Sequence, residues 1–296
     1  MRITAAGRFP DTGYEMTQHF SRNTTFRGHW LIAFAVAACY PLFGQAPSIS
    51  AGGIIDAASS SVGRPVSAGN IVSIYGSNLA TAVASSDTVP LSTSLSNVSV
   101  SFNGINAALQ FVAPGQINAQ IPWNVLPSGT NGTINAVVTS QGVPSAPQPV
   151  VINQFGPGVY QATVGGVQHA FAINATDPTS QRYGSFAAVT GSVGTYPAFP
   201  AQVNDILLVY AGGLGPVDTV VATGAAPTTT VNTTTQPVVL VNSVPATFLF
   251  AGLSPGYPGV YQVNIKVPQV TAGNTLPFQI QIGGITSTNT TTIAVQ

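Results

Sequence analysis

Gly69-Asn-Ile-Val-Ser-Ile-Tyr-Gly-Ser-Asn-Leu79 returns later in the chain as Asn204-Asp-Ile-Leu-Leu-Val-Tyr-Ala-Gly-Gly-Leu214, which sets Tyr75 against Tyr210. The matches continue in order. Asn103-Gly-Ile-Asn-Ala-Ala-Leu-Gln-Phe111 is answered by Asn242-Ser-Val-Pro-Ala-Thr-Phe-Leu-Phe250, and Pro114-Gly115 by Pro255-Gly256. Gln116-Ile-Asn-Ala-Gln-Ile-Pro122 is answered by Gln262-Val-Asn-Ile-Lys-Val-Pro268, and Gly142-Val-Pro-Ser145 by Gly284-Ile-Thr-Ser287. The offset is 135 from Gly69 to Asn204, 146 from Gln116 to Gln262 and 142 from Gly142 to Gly284. An offset of that size marks a duplicated domain, because solenoid repeats run at about 20–50 residues.

The repeated unit reads as all-β. Val98-Ser-Val-Ser-Phe102, Ile117-Asn-Ala-Gln-Ile121, Val263-Asn-Ile-Lys-Val267 and Phe278-Gln-Ile-Gln-Ile282 alternate apolar with polar residues. Alternate side chains of a strand point to opposite faces, so each run buries one face and wets the other. Asn103-Gly104, Ser128-Gly129 and Gly283-Gly284 punctuate the strands as turns. No segment beyond the first fifty residues keeps the i, i+3, i+4, i+7 spacing of an amphipathic helix. Many short strands between turns predict sandwiches or barrels. The Thr228–Thr235 run reads as a mobile loop, and the linker near Gln154–Gly158 as short.

The N-terminus reads as an address. An apolar decapeptide, Trp30–Cys39, follows Arg22 and Arg27 and precedes Gly44-Gln-Ala46. A basic region, an apolar stretch of about 7–15 residues and a small-x-small site describe a secretory signal peptide, with cleavage predicted after Ala46. The stretch is too short for the roughly 20 residues of a transmembrane helix. Asp11 and Glu15 are unusual in such a leader, which makes Met16 an alternative start. Val36-Ala37-Ala38-Cys39 also resembles a lipobox, although Cys39 reads better as a small apolar residue of the leader. As the chain's one cysteine, it leaves the mature part no disulfide framework.

Ile54-Ile-Asp-Ala-Ala-Ser59 followed by Gly69–Leu79 resembles the opening of a domain common in exported acidobacterial proteins and first noted at C-termini in Solibacter. Pro114–Pro122, Tyr210-Ala-Gly-Gly-Leu-Gly-Pro216 and Phe250-Ala-Gly-Leu-Ser-Pro-Gly256 extend the resemblance over nearly all of 53–296. The individual units resemble IPT/TIG-type immunoglobulin-like domains. The resemblance implies fold and export, and no chemistry. It implies two tandem immunoglobulin-like β-sandwiches behind the signal peptide (1–46), at 47–154 and 155–296. The second carries insertions near 177–200 and 257–261. Where the resembled domain often shows an Asn-x-Asp-Gly-like turn, this chain has Asn174-Ala-Thr-Asp-Pro178.

Charge restricts the functional classes. Asp, Glu, Lys and Arg make up 5% of the chain, against a typical value of about 25%. Only Arg64, Arg182 and Lys266 are basic beyond residue 46. Neither nucleic-acid binding by phosphate neutralisation nor a polybasic membrane patch can be built from three scattered cations. His169 is the only histidine of the mature part. It supplies neither a hydrolytic triad nor the three or four ligands of a zinc site. Asp56, Asp87, Asp177, Asp205 and Asp218 are the carboxylates beyond residue 46. Asp56 and Asp205 read as turn residues bonding nearby amides rather than as a glycosidase pair. A calcium site from Asn174, Thr176 and Asp177 is a minor alternative. Gly212-Gly-Leu-Gly-Pro216 reads as a turn leaving a strand, since it lacks the spacing of a phosphate cradle. No catalytic residue, cofactor or metal is predicted.

Aromatic residues are the better lead, because they supply contact area at low entropic cost. Trp123, in an expected loop, and Tyr257 and Tyr261, in the 257–261 insertion, are the candidate ligand contacts; Tyr75 and Tyr210 read as core or corner tyrosines. The sequence thus predicts a secreted, non-catalytic module for surface structure, adhesion or recognition, facing a protein or glycan partner at the cell surface. A carbohydrate-binding module using Trp123 and Tyr257 is the alternative. A small outer-membrane barrel is less favoured, because its strands need about 9–11 residues.

Overall fold

The computed structural model describes residues 45–288 and 290–296, so nearly all of the expected signal segment lies outside the described residues. What is described belongs to one compact unit. Its first half contains β1 (Ser48–Asp56), β2 (Ile71–Ser77), β3 (Ala84–Ser85), β4 (Val98–Phe102) and β5 (Ile105–Asn106). It continues with β6 (Ala108–Ala113), β7 (Gln116–Gln120), β8 (Gly132–Ser140), β9 (Val143–Pro144) and β10 (Gln148–Ile152). The second half begins with β11 (Gly158–Val159), β12 (Gln161–Val164), β13 (Val167–Ala170), β14 (Ala172–Asn174) and β15 (Phe186–Ala187). Next come β16 (Ala198–Phe199), β17 (Ile206–Gly212), β18 (Val238–Val241), β19 (Val244–Pro245) and β20 (Thr247–Leu253). The last are β21 (Tyr261–Lys266), β22 (Gly273–Ile282), β23 (Ile285–Thr286) and β24 (Thr291–Val295). Among the described residues there is no helix.

Each half is a sandwich of two open sheets. In the first, β1-β2-β7-β6-β3 faces β10-β8-β4-β5, with β9 added to β8. In the second, β16-β15-β14-β17-β21-β20 faces β12-β13-β24-β22-β18-β19, with β11 on β17 and β23 on β22. The period-two runs explain the pairing of sheets. Val98, Val100 and Phe102 of β4 are fully buried, in one core with Ile74, Ile117 and Val138. Val263 and Ile265 share the other core with Leu207, Phe278 and Ile280. Burial of each such side chain contributes about 1.5–3 kcal/mol, the dominant favourable term here. The filled interiors and open sheets are those of sandwiches, which sets the barrel expectation aside.

The duplication holds residue by residue. Val72 pairs with Ala119 and Tyr75 with Gln116, while Leu207 pairs with Ile265 and Tyr210 with Gln262. The β6–β7 ladder slips between Leu109 and Phe111, and β20–β21 slips between the matched Phe248 and Phe250. The Asn103-Gly104 and Asn242-Ser243 turns both take positive φ at both residues, 51° and 78° against 49° and 67°. That is the conformation whose twist suits a two-residue hairpin. Ser145 Oγ accepts from Val138 N at 3.1 Å, and Ser287 Oγ from Ile280 N at 3.0 Å.

The differences are insertions in the second half. β1 is one strand with an irregularity between Ile49 and Ile54. Its counterpart is divided into β11 and β14, both on β17, with the β12–β13 hairpin between them. Near 177–200, β15 and β16 cover a small separate cluster of Phe186, Ala188, Val193 and Ala198. Between β20 and β21 the longer connection of this half is Ser254–Val260. Tyr261 therefore opens β21 inside the core, whereas the sequence placed it in the insertion. Of two further expectations, one narrows and one changes. Of the core or corner places expected for Tyr75, its 38% exposure excludes the core. The Thr228–Thr235 run is tied down, because Val231 is buried and Thr233 N donates to Ala251 O at 3.0 Å.

Candidate functional site at the junction of the halves

Four pieces of the second half reach the first, and glycine permits each approach. A Cβ on Gly158 would overlap the Asp56 carboxyl, and one on Gly212 would lie 2.8 Å from Asp56 Oδ1 and 2.7 Å from Asn70 Oδ1. Gly259, on the Ser254–Val260 loop, would meet Gly69 O at 2.8 Å. Gly224, on the long connection from β17 to β18, would meet Leu91 O at 2.7 Å. The Gly212-Gly-Leu-Gly-Pro216 run is thus the turn the sequence predicts, and it also lies against the linker. A Cβ on Gly215 would stand 2.7 Å from Gln154 O.

Polar groups close the same seam. Gln120 is fully buried; its Nε2 donates to Gly69 O at 3.0 Å and its Oε1 accepts from Gly224 N at 2.6 Å. Leu91 N donates to Gly224 O at 2.8 Å. Arg64 donates through Nη2 to the Thr286 carbonyl of the other half. Asp56 is buried at the centre; Oδ2 accepts from Ser59 N at 2.7 Å and Oδ1 from Asn70 Nδ2 at 2.9 Å. Burial pushes its pKa up against the lowering effect of these hydrogen bonds. Burial likewise raises the Tyr160 hydroxyl, with a smaller contribution from Asp56.

The candidate aromatics divide between seam, surface and core. Trp123 is half-buried and packs against the second half's core, its N donating to Thr223 Oγ1 at 3.3 Å. Its ring fills the space where a Cβ on Gly69 would stand. Its remaining surface lines an open groove of about 610 Å3 with Asn103, Leu126, Val217, Val220 and Val221. Tyr257 is 46% exposed, edge-on to the half-buried Tyr210 with ring centroids 6.2 Å apart. Tyr261 is fully buried and its hydroxyl donates to Gly215 O, which corrects its place among the ligand contacts. A side chain without solvent exposure has no surface to offer a ligand.

The calcium alternative meets a guanidinium. Asn174 turns its amide to Asp205 Oδ2 at 2.8 Å, and Arg182 Nη1 forms an ion pair with the same oxygen. Asp177 stands apart, accepting from Thr179 N at 2.9 Å. Among the described residues no group of three His, Cys, Asp or Glu is placed to hold a metal. His169 is buried in β13, and its pKa is lowered by that burial. Asn70, Gln120 and the junction glycines were missed in the sequence. Only the matched positions of Asn70 and Asp205 pointed toward them.

Among the described residues no helix is long and apolar enough to cross a membrane. No curated protein matches the chain. Among solved structures, the extracellular region of plexin A4 is 13% identical at TM-score 0.24, covering 84% of this chain and 18% of its own. The Escherichia coli adhesin FdeC is 12% identical at TM-score 0.21, covering 84% of this chain and 66% of its own. Domains 5–6 of the S-layer protein SbsC are 10% identical at TM-score 0.21, covering 81% and 94%. The chain thus spans less than a fifth of the plexin chain. The IPT/TIG domain model matches residues 54–152, so the first sandwich carries that immunoglobulin-like domain.

Proposed function

We propose that the chain is an exported, non-catalytic immunoglobulin-like module that serves surface structure, adhesion or recognition, as in the exported acidobacterial domain it resembles. The signal peptide 1–46 is removed in this reading, and the sandwiches span 47–154 and 155–296. The observation that carries it is the junction. Glycines pressed against Asp56, Asn70, Gly69 and Leu91 join the sandwiches into one compact unit. A stiff pair of sandwiches suits a part that holds position outside the cell. Fractionation with N-terminal sequencing of the mature protein tests the reading. A mature chain beginning at Pro47 in the exported fraction supports export, a chain beginning at Cys39 adds a lipid anchor, and an unprocessed cytosolic chain overturns it.

A second reading is carbohydrate binding. It draws on the groove beside Trp123, whose lining carries no ionisable side chain, and on the exposed Tyr257 ring. Retention on a glycan array, lost in Tyr257→Ala or Val220→Asp, supports it; no retention of the parent chain overturns it.

A further inference from the structure

The two halves place matched acid–amide pairs in opposite surroundings. Asp205 has Arg182 beside it, the ion pair found among the described residues. Asp56 has none. Its carboxyl bonds Ala58, Ser59 and Asn70 of its own half and lies against Gly158 and Gly212 of the other, whose buried Tyr160 hydroxyl is near enough to feel its charge. Tyr160 is the titratable group among these, and the rest are neutral. An ionised carboxylate held in such a place without a countercharge is costly, and the neutral acid is not.

The hydrogen bonds that Asp56 accepts favour the carboxylate and oppose burial, but one unpartnered neighbour favours the acid. Asn70 Oδ1 is buried beside Asp56 and has no partner among the described residues. A carboxylate only accepts, whereas the protonated acid gains an O–H donor. An acid and an amide can therefore exchange two hydrogen bonds where a carboxylate and an amide exchange one. Protonation would add a donor beside Asn70 Oδ1, the atom that lacks a partner.

We propose that Asp56 is a proton-operated latch on the junction: its neutral form keeps the two sandwiches closed on one another, and its ionised form loosens them. The direction follows from linkage. Burial raises the folded-state pKa above the ordinary aspartate value. The stabilisation is complete below that ordinary value and is lost as pH rises through the raised one. The junction is thus tightest in an acid medium.

The test uses the full chain with Trp30→Phe, which leaves Trp123, at the seam, as the sole tryptophan. Emission is recorded from pH 4 to 8 with and without Asp56→Asn. The expected result is a red shift with rising pH in the Asp56 chain and a flat response in the Asn chain. Equal responses, or none in either, overturn the proposal. Infrared titration of the Asp56 carboxyl in the unmutated chain is independent of how the variant folds. A midpoint at or below the ordinary aspartate value overturns the latch, and a raised midpoint supports it.

Discussion

Asp56 accepts from Asn70 at 2.9 Å, and in the second half Asn174 donates to Asp205 at 2.8 Å: the same contact with acid and amide exchanged. The ladders make the equivalence strict. Asp56 pairs with Val72 and Asn174 with Leu207, and in each case the partner side chain comes from the residue two before. The contact ties the end of one strand to the turn that opens the next. Only one carboxylate is needed, and either end can carry it. Which end carries it decides the neighbours: at Asp56 the other sandwich, at Asp205 a guanidinium.

Arg182→Met should destabilise the chain because it leaves Asp205 largely buried with hydrogen bonds but no cation. Breaking a buried pair costs about 3–5 kcal/mol. Arg182 is 21% exposed, so water recovers part of that, and we expect about 1–3 kcal/mol. Urea unfolding measures it. The double variant Arg182→Met, Asp205→Asn should recover most of the loss, since it converts the site to two amides.

Gly158→Ala tests the seam by sterics alone. Its φ is ordinary, so the cost comes from the methyl group meeting the Asp56 carboxyl. Overpacking of this kind costs about 1–3 kcal/mol. Gly104→Ala is the contrast: nothing lies near its Cβ, and the cost, from a φ of 78°, should stay near 1 kcal/mol. Equal losses in thermal melts would contradict the close approach at Gly158.

Much of the fold was legible because duplication and period-two alternation are both written in local residue order. Phe111 and Phe250 could be matched by eye, and their ladders slip at the same place. The seam was not legible, because its glycines look like turn glycines until the opposing backbone is known. Gly224 sits in a stretch of Ala, Thr and Pro that gives no sign of Leu91 or Gln120. Tyr261 was misread for a related reason. An insertion found by alignment has no fixed edge, and the strand reclaimed its last residue.

Gln120→Leu should cost more than its volume change implies. The side chain answers two buried backbone groups, Gly69 O and Gly224 N. Leaving each unsatisfied costs about 1–3 kcal/mol, so a loss of roughly 2–6 kcal/mol in urea unfolding is expected. The loss should fall on the seam. Amides of the β17–β18 connection, Gly224 among them, should exchange faster, while those of β4 and β8 keep their protection.

His169 predicts the acid side of the stability profile. It is buried, and burial lowers its pKa below the ordinary imidazole value. The unfolded chain therefore binds a proton before the folded chain does. Stability is complete above the ordinary value and falls as pH drops through it toward the lowered one. Asp56 acts with the opposite sign: its contribution falls as pH rises above the ordinary aspartate value toward the raised one. His169→Gln, which carries no titrating charge, should remove the imidazole's contribution and leave that of Asp56 in place. Urea midpoints of both chains between pH 4 and 8 measure the difference, and identical profiles would show that the imidazole takes up its proton equally in the folded and unfolded chains.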